Sequence, residues 1–582
     1  MNQNIRLFRS PSSLWSTLLE INPQWFREIQ GKLKTRNVVI AVAIAVIAQF
    51  MAVIFLLGQL PNLDKTELQC GRYAMTMIYN ELGNDLCYNL NEAGNWVINW
   101  QLWWLDLLII LSIISIFALL VVGTYLLIAD MVQEEARGTL NFIRLTPQSA
   151  SSILCGKILG VPILLYTAIA CLFPLHLVAG LQAHIPLTLI LAFDFTILAS
   201  CGFFYSLALL WSLFGIGGVG IKSWLATSLI GLTLAFSTTA LFNSYLPLDN
   251  FLSWMMIFNP GTVLTYLIDA AQLTFGSINF LTLDNLGELS FYGQALWTKA
   301  SMGIGLIFFN FSLWTYWCWS ILKRRFHNPE ATILSKVHSY WLTAWVTLMA
   351  LGFTLQPDAP NFPGDLPVNN TDHISSNFMA LQVCLGLFGL GLIFALSPHR
   401  QTLYDWARYR HQTGKGNSLW KELVLGNNSP SSVALAINLA IAITFITPSI
   451  YIILPENKQA IFWGFALSAT SILLYGIIAQ FLLTIKNRKR AVWSIVTVAS
   501  MIVLPPIALG LAEITLQSFP QVWLWSFVPI AATEYVSASA IALTLLGQWL
   551  TISVIGLQMT RKLQQAGASA TKSLSSEFGV RN

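Results

Sequence analysis

Twelve apolar runs, each about as long as a membrane is thick, constrain this chain more than any other feature. They lie near 37–58, 103–130, 152–180, 186–213, 223–244, 301–322, 340–356, 377–397, 431–454, 460–485, 491–512 and 538–560. A helix needs about 20 mostly apolar residues to cross the hydrocarbon core, and the run at 340–356 is the shortest of the set. Only 10% of the residues are charged, against about 25% in soluble domains. The fold class expected is therefore all-α and polytopic, with about twelve transmembrane helices. The start, MNQNIRLFRSPSSLW, has no apolar core after its basic residues, so no cleaved signal peptide is expected.

Lysine and arginine stay preferentially on the cytoplasmic side of a membrane. With both termini inside and twelve spans threaded, only Lys65, Arg72, Lys299 and Lys458 of the 31 Lys and Arg fall outside. The clusters Lys32/Lys34/Arg36, Lys323–Arg325, Lys486–Arg490 and Arg561/Lys562 land at cytoplasmic span ends. The formal net charge of +5 then reports topology and calls for no nucleic acid. A plasma membrane of bacterial type is the expected location. Two outer segments are long, 59–102 and 245–300. The first holds Cys70 and Cys87, where export permits a disulfide; they read either as a bonded pair or as two unpaired thiols. The other five of the seven cysteines lie in or beside spans and read as small packing residues.

The two halves share three collinear features. LTPQSASSI (145–153) is matched by LGNNSPSSV (425–433), and WMMIFNP (254–260) by WLWSFVP (523–529). ASMGI…ILKRR (300–325) parallels ASAIA…QMTRK (538–562), each a span closed by a basic cluster. A repeat of this length implies tandem structural units. The domains expected are 1–330, a six-span unit with a polar segment at 131–150 and long outer loops, and 331–582, a shorter six-span unit. In each, an amphipathic lead-in segment (Trp15–Arg36 or His327–Tyr340) precedes span one.

Between spans two and three the chain reads ADMVQEEARGTLNFIRLTPQSASSILCGKILG (129–160). Glu134, Glu135 and Arg137 continue span two past the membrane surface, and Gly138 breaks or turns that helix. TLNFIRL then forms a short helix whose Leu140, Phe142 and Ile143 offer an apolar face, to pack on the membrane domain or on a partner. Thr146 before Pro147 has the form of an N-cap followed by a first-turn proline, so a new helix is expected there, continuing as span three.

EEARGTLNFIRLTPQS…GKILG resembles the E-x-x-x-G-T-L-x-x-L-x-x-x-P signature of the permeases of type-2 ABC exporters. Glu134, Gly138, Thr139, Leu140 and Pro147 fit it; Ala136 departs where the family often has a second acid, with Glu135 one place off. FNPGTVLTYLIDA (258–270) is similar to the Asn-Pro-aromatic segment which that family places outside before span six, and WFREIQGKLKTRN to its lead-in helix. The resemblance implies a permease of two fused six-span units, whose 131–150 segment is a coupling helix seated in a groove of a separate ABC-type ATPase subunit. ATP and magnesium would belong to that partner, with no cofactor on this chain and no enzymatic activity of its own. In the second unit the corresponding segment, 399–430, has no Glu-x-x-x-Gly-Thr and is basic and aromatic. It reads as degenerate, as fitted to a different ATPase, or as a solvated loop.

Other motifs weigh less. GIGGVGIKS (215–223) matches G-x-G-x-x-G through Gly215, Gly217 and Gly220, but a phosphate loop needs a strand before it and a soluble helix after it. This one joins two spans, and Ile221 interrupts the Gly-Lys of a Walker loop. Asp194 lies inside span four, and an intramembrane carboxylate marks a functional site unless a neighbouring helix satisfies it. His176 and His184, at the outer ends of spans three and four, read as interface histidines without metal. Trp96, Trp100, Trp103, Trp104, Trp341 and Trp345 read as interfacial anchors. Two other functions compete with the permease. A 6+6 secondary transporter predicts a long link between halves and charges at the midplane, of which Asp194 is the only one. An integral membrane enzyme needs a nucleophile–base set or metal ligands, and neither H-E-x-x-H nor G-x-S-x-G occurs. The transported substrate is not legible.

Overall fold

The structure, a computed structural model, describes residues 22–60, 73, 77–79, 85–87, 98–214, 219–242, 251–271, 289–356, 370–413, 418–453, 457–487 and 489–578. Helix dominates, and two short two-stranded ladders are the only strands among these residues. The chain divides into two compact units: residues 1–248, 252–289 and 295–327, then 249–251, 290–294 and 328–582.

In unit 1, α1 (Pro23–Lys32) starts from an Asn22 cap, with Pro23 in its first turn. The spanning helix α2 (Thr35–Leu57) follows, and the strands Met77–Tyr79 and Asp85–Cys87 pair antiparallel. The long helix α3 (Trp100–Ala136) contains a π turn at Ala118–Val122. Such a turn breaks the helical hydrogen-bond ladder locally, and the Tyr205 hydroxyl donates to the Leu119 carbonyl there at 2.9 Å. Then come α4 (Thr139–Arg144), α5 (Ala150–Gly160), α6 (Ile163–Gln182), α7 (Leu187–Phe214) and α8 (Val219–Phe242). A 3-10 segment, Phe251–Phe258, meets α9 (Gly261–Ala270) at 88°, and α10 (Ala300–His327) closes the unit. Because lipid is as apolar as leucine, packing and close approach hold such helices together. Leu105, Leu107, Leu108 and Leu111 make α3 the buried centre, and Phe203, Phe204 and Phe311 interlock α7 with α10.

Unit 2 comprises α11 (Lys336–Thr354), α12 (Asn370–Leu396), α13 (Arg400–Thr413), α14 (Leu419–Leu425), α15 (Ser432–Ile453), α16 (Lys458–Leu483), α17 (Arg490–Leu511) and α18 (Ala538–Phe578). Two single-turn helices, Pro520–Trp523 and Ile530–Thr533, precede α18. Hydrogen bonds join α11 to α15: Thr343 donates to Asn438 Oδ1 at 2.7 Å, and Asn438 Nδ2 donates to Ser339 at 2.9 Å.

Eleven helices are long and apolar enough to cross a membrane, or twelve if the bent pair before α10 counts as one span. The fold is therefore that of an all-α, polytopic membrane protein. Eleven of the twelve expected runs coincide with these helices. The run at 340–356 is helical, as part of α11, but its polar start leaves it outside the eleven. Two local expectations are corrected. Ser149, whose hydroxyl accepts from Ser152 N at 3.2 Å, caps α5, while Thr146 donates to the Ile143 carbonyl and Pro147 lies in the turn before it. Run three is broken at Val161–Pro162, so its spanning part begins at Ile163. In the second lead-in segment residues 328–335 are irregular, and helix begins at Lys336. The expectations for 215–218 lie outside the described residues. So does that for Cys70, and with it the pairing to Cys87.

Candidate functional site

The polar segment that links α3 to α6 is built on a buried ion-pair network. Gly156 and Gly160, either side of Lys157, bring α5 against α1 at backbone distance. A Cβ at Gly156 would lie 2.8 Å from Trp25 N, and one at Gly160 would collide with Glu28 Cβ. Asn22 joins the helices again, donating from Nδ2 to the Ser152 carbonyl at 2.7 Å while its Oδ1 accepts from Gln24 N and Trp25 N. The Lys157 ammonium is thereby carried into the space between α1 and the end of α3, where it is 0% exposed.

Three carboxylates receive it: Asp130 at 2.6 Å, Glu134 at 2.8 Å and Glu28 at 3.1 Å. Two further cations balance the charge. Arg27 Nη2 lies 2.6 Å from Glu134, and Lys32 lies 3.2 Å from Glu28 and 3.8 Å from Asp130. Burial would push the Lys157 ammonium down, but Asp130, Glu28 and Glu134 outweigh it and hold its pKa above the usual 10.5. Burial likewise pushes the Glu28 carboxyl up, yet Lys157 and Lys32 hold it below the usual 4.5. The ligand atoms of Glu28, Asp130 and Glu134 lie within 4.8 Å of one another, the one such cluster among the described residues. The lysine already neutralises its centre, so the cluster is an ionic lock joining three helices.

Beyond the lock, Gly138 turns the chain at φ +75°, a left-handed conformation that glycine adopts without strain. Thr139 donates to the Glu134 carbonyl at 3.1 Å, and Glu135 pairs with Lys222 at 3.4 Å. Of the expected apolar face of α4, Leu140 and Ile143 are buried in unit 1. Phe142 points the other way, 79% exposed, beside Leu145 at 84%, and the neighbouring Pro147 is exposed too. The Arg144 carbonyl accepts from His327 Nδ1 at 3.3 Å, tying α4 to the end of α10. Two exposed apolar side chains thus sit on a rigid, polar platform.

The segment in unit 2 is built otherwise. Leu403 and Ala407 on α13 pack against Met559 and Leu563 on α18, and Tyr404 and Arg400 both donate to the Thr484 carbonyl. Its buried cation, Lys336, is 2% exposed and meets neutral acceptors: the carbonyls of Leu423 (2.7 Å) and Pro430 (2.9 Å) and the hydroxyl of Ser429 (2.7 Å). Burial pushes its pKa down to about 8.

Asp194 stands apart from the lock. Its Oδ1 lies 3.8 Å from His176 Nδ1, and His176 Nε2 lies 3.0 Å from the Ser112 hydroxyl, a polar chain across α7, α6 and α3. The serine hydroxyl also donates to the Leu108 carbonyl and is fully buried. His184 adopts φ 63° in the turn between α6 and α7.

Sequence reasoning found Glu134 and Gly138 but missed Lys157, Glu28 and Asp130. The signal was present in SSILCGKILG, a single lysine in an apolar run, flanked by glycines. Such a charge must be paired when buried. Comparison with models of protein families, with curated proteins and with solved structures found no match.

Proposed function

We propose that the chain is the membrane permease of an ATP-driven exporter of the type-2 ABC class, with hydrolysis on a separate ATPase subunit that seats on α4. The observation that carries this reading is the exposed pair Phe142 and Leu145, held on a turn that the Lys157 lock fixes to α1, α3 and α5. Large apolar side chains exposed on a rigid polar rim mark a protein-binding surface. A lock joining three helices is also a means of passing movement at α4 into the spans. Export as the direction, the tandem duplication of the six-span unit, cytoplasmic termini and a plasma-membrane location belong to the same reading. ATP and magnesium are assigned to the partner.

Purification from native membranes tests it. An ATPase subunit should co-purify, and the chain alone should not hydrolyse ATP. Hydrolysis at a transporter-like rate by the isolated chain sinks the reading. An impermeant thiol reagent applied to intact cells should label a cysteine placed at Asn369 and miss one at Gly414; the reverse result inverts the topology. The Ser112–His176–Asp194 chain favours a second reading, an ion-coupled secondary transporter, since buried ionisable residues in spans line ion pathways. Transport by vesicles holding this chain alone, driven by a proton gradient without ATP, would establish that alternative.

A further inference from the structure

We infer that α14 is an interfacial helix, with Leu419, Trp420 and Leu425 seated among the lipid headgroups, so that unit 2 turns this segment to the bilayer. The inference concerns a different surface from α4 and holds whatever drives transport.

The depth of each turn follows from the helices that carry it. Helix α3 has 37 residues, about 55 Å at 1.5 Å per residue, against a hydrocarbon core of about 30 Å. Its end therefore stands well clear of the lipid. The return path carries an extension of its own: α5 adds 11 residues, about 16 Å, before the spanning helix α6 begins. Phe142 and Leu145 are thus held in water.

In unit 2 the spans beside α14 are not themselves extended, and the separate helix α13 between α12 and α14 packs on α18. The apolar part of α12 is the 23 residues Ile374–Leu396, about 35 Å, and Pro398 follows within two residues. Only residues 426–431 separate α14 from α15, which is itself a span from Ser432. Two hydrogen bonds then pin α14 beside the first turns of α11: Lys336 Nζ to the Leu423 carbonyl and Tyr340 hydroxyl to the Val424 carbonyl, each at 2.7 Å. At that level α11 itself exposes Trp341 (69%), an aromatic of the kind that collects at the membrane surface.

None of the seven residues of α14 is buried, and Trp420 is 70% exposed. The adjacent Lys421 is exposed as well. Its one carboxylate, Glu422, is paired with Arg410 at 2.9 Å, and the exposed indole, leucines and lysine that remain, at the level where spans begin, have the composition of a helix lying in the interface. Its occupant is accordingly the lipid surface and not a soluble partner.

Hydroxyl-radical footprinting of the unmodified full chain, in nanodiscs of phosphatidylcholine and phosphatidylglycerol, tests this directly. Trp420 and Trp341 should both be protected and Phe142 should be modified, although an indole is intrinsically the more reactive ring. Modification of Trp420 as readily as Phe142 overturns the inference, and so does protection gained only when a soluble protein is added. A nitroxide on Trp420→Cys should collide more with oxygen than with a water-soluble nickel chelate, and one on Phe142→Cys should do the reverse. Leu425→Cys gives the same reading if Trp420→Cys fails to fold. A preference for the nickel chelate at both positions in α14 also overturns it.

Discussion

Among the described residues each unit buries one lysine beside the polar segment that joins two of its spans, and the two lysines are held in opposite ways. Lys157 in unit 1 meets three carboxylates and stays charged; Lys336 in unit 2 meets two carbonyls and a hydroxyl, and burial weakens its hold on the proton. A carboxylate-bound lysine links helices by charge, and its partners are left exposed to one another's repulsion if it goes. A carbonyl-bound lysine fastens a backbone turn, and its acceptors are neutral. The first arrangement suits a platform that transmits force. The second suits a cap on the end of a helix bundle. The turns themselves differ in the same sense, one held away from the spans with Phe142 and Leu145 outward, the other close to the start of α15.

Replacing the lysines tests that contrast most severely. Lys157→Met leaves three buried carboxylates without their central cation and should cost about 3–5 kcal/mol, the usual effect of breaking a buried ion pair. Lys336→Met strands neutral acceptors and should cost about 1–3 kcal/mol. Thermal unfolding in detergent measures both, and hydrogen exchange should show α1 detaching in the first variant alone. Equal losses would mean that the carboxylates around Lys157 add nothing to its hold.

Glu134→Ala should remove the bonds to Arg27 and Lys157 while leaving Glu28 and Asp130 in place. A charge-assisted hydrogen bond is worth about 1.5–3 kcal/mol, here lost from the joint between α1, α3 and α5, and coupled hydrolysis should fall with it. Tyr404→Ala in unit 2 loses one neutral bond to the Thr484 carbonyl and should cost about 1 kcal/mol. Substrate-stimulated ATPase activity of the reconstituted complex compares the two. If both are inert, Glu134 is an ordinary structural charge and the proposed coupling loses its mechanism.

The spans were legible in the sequence because apolarity is a bulk property that survives any detail of packing. The run that falls outside the spanning helices, 340–356, is the one whose helix begins with polar Lys336 and His338. Gly138 was legible too, since an isolated glycine after a charged helix end has few other uses. Lys157 was visible as an oddity, but its partners were not. Glu28 is far away in the chain, and only the close approach that Gly156 and Gly160 allow brings it near. Lys336 was harder still, because backbone carbonyls, which hold it, leave no mark in a sequence. The cap of α5 was misread because Thr146 and Ser149 are both competent caps, and the carbonyl of Ile143 claimed the threonine.

Phe142→Ser sharpens the contrast at the surface. The side chain touches little of unit 1, so folding should be unchanged, whereas an exposed aromatic at the centre of an interface typically contributes about 2 kcal/mol. Affinity for the co-purified ATPase should fall about thirtyfold with the melting temperature unmoved. Trp420→Ser should leave that affinity alone. A loss of ATPase binding in Trp420→Ser would make the two turns functional equivalents.

The pH dependence of stability separates the lysines by sign. Lys336 has a folded pKa of about 8 against a usual 10.5, so above pH 8 the unfolded chain binds the proton more tightly than the folded one. Stability then rises with pH across that window. Between about pH 7 and about pH 9 the gain is about 1.4 kcal/mol, one unit of displaced titration, and Lys336→Met should abolish it. Lys157 is shifted the other way, so its contribution is fully present below 10.5 and is lost only when pH rises past its raised folded value. Glu28 adds an acid limit, since its contribution is present above 4.5 and is lost as pH falls through its lowered folded value. Melting temperatures of the wild type, Lys157→Met and Lys336→Met from mildly acidic to alkaline pH therefore carry a clear expectation. The wild type and Lys157→Met should rise in parallel above neutrality, and Lys336→Met should stay flat. A flat wild type would show Lys336 to be as easily charged as any surface lysine, and the contrast between the two buried cations would reduce to their number of partners.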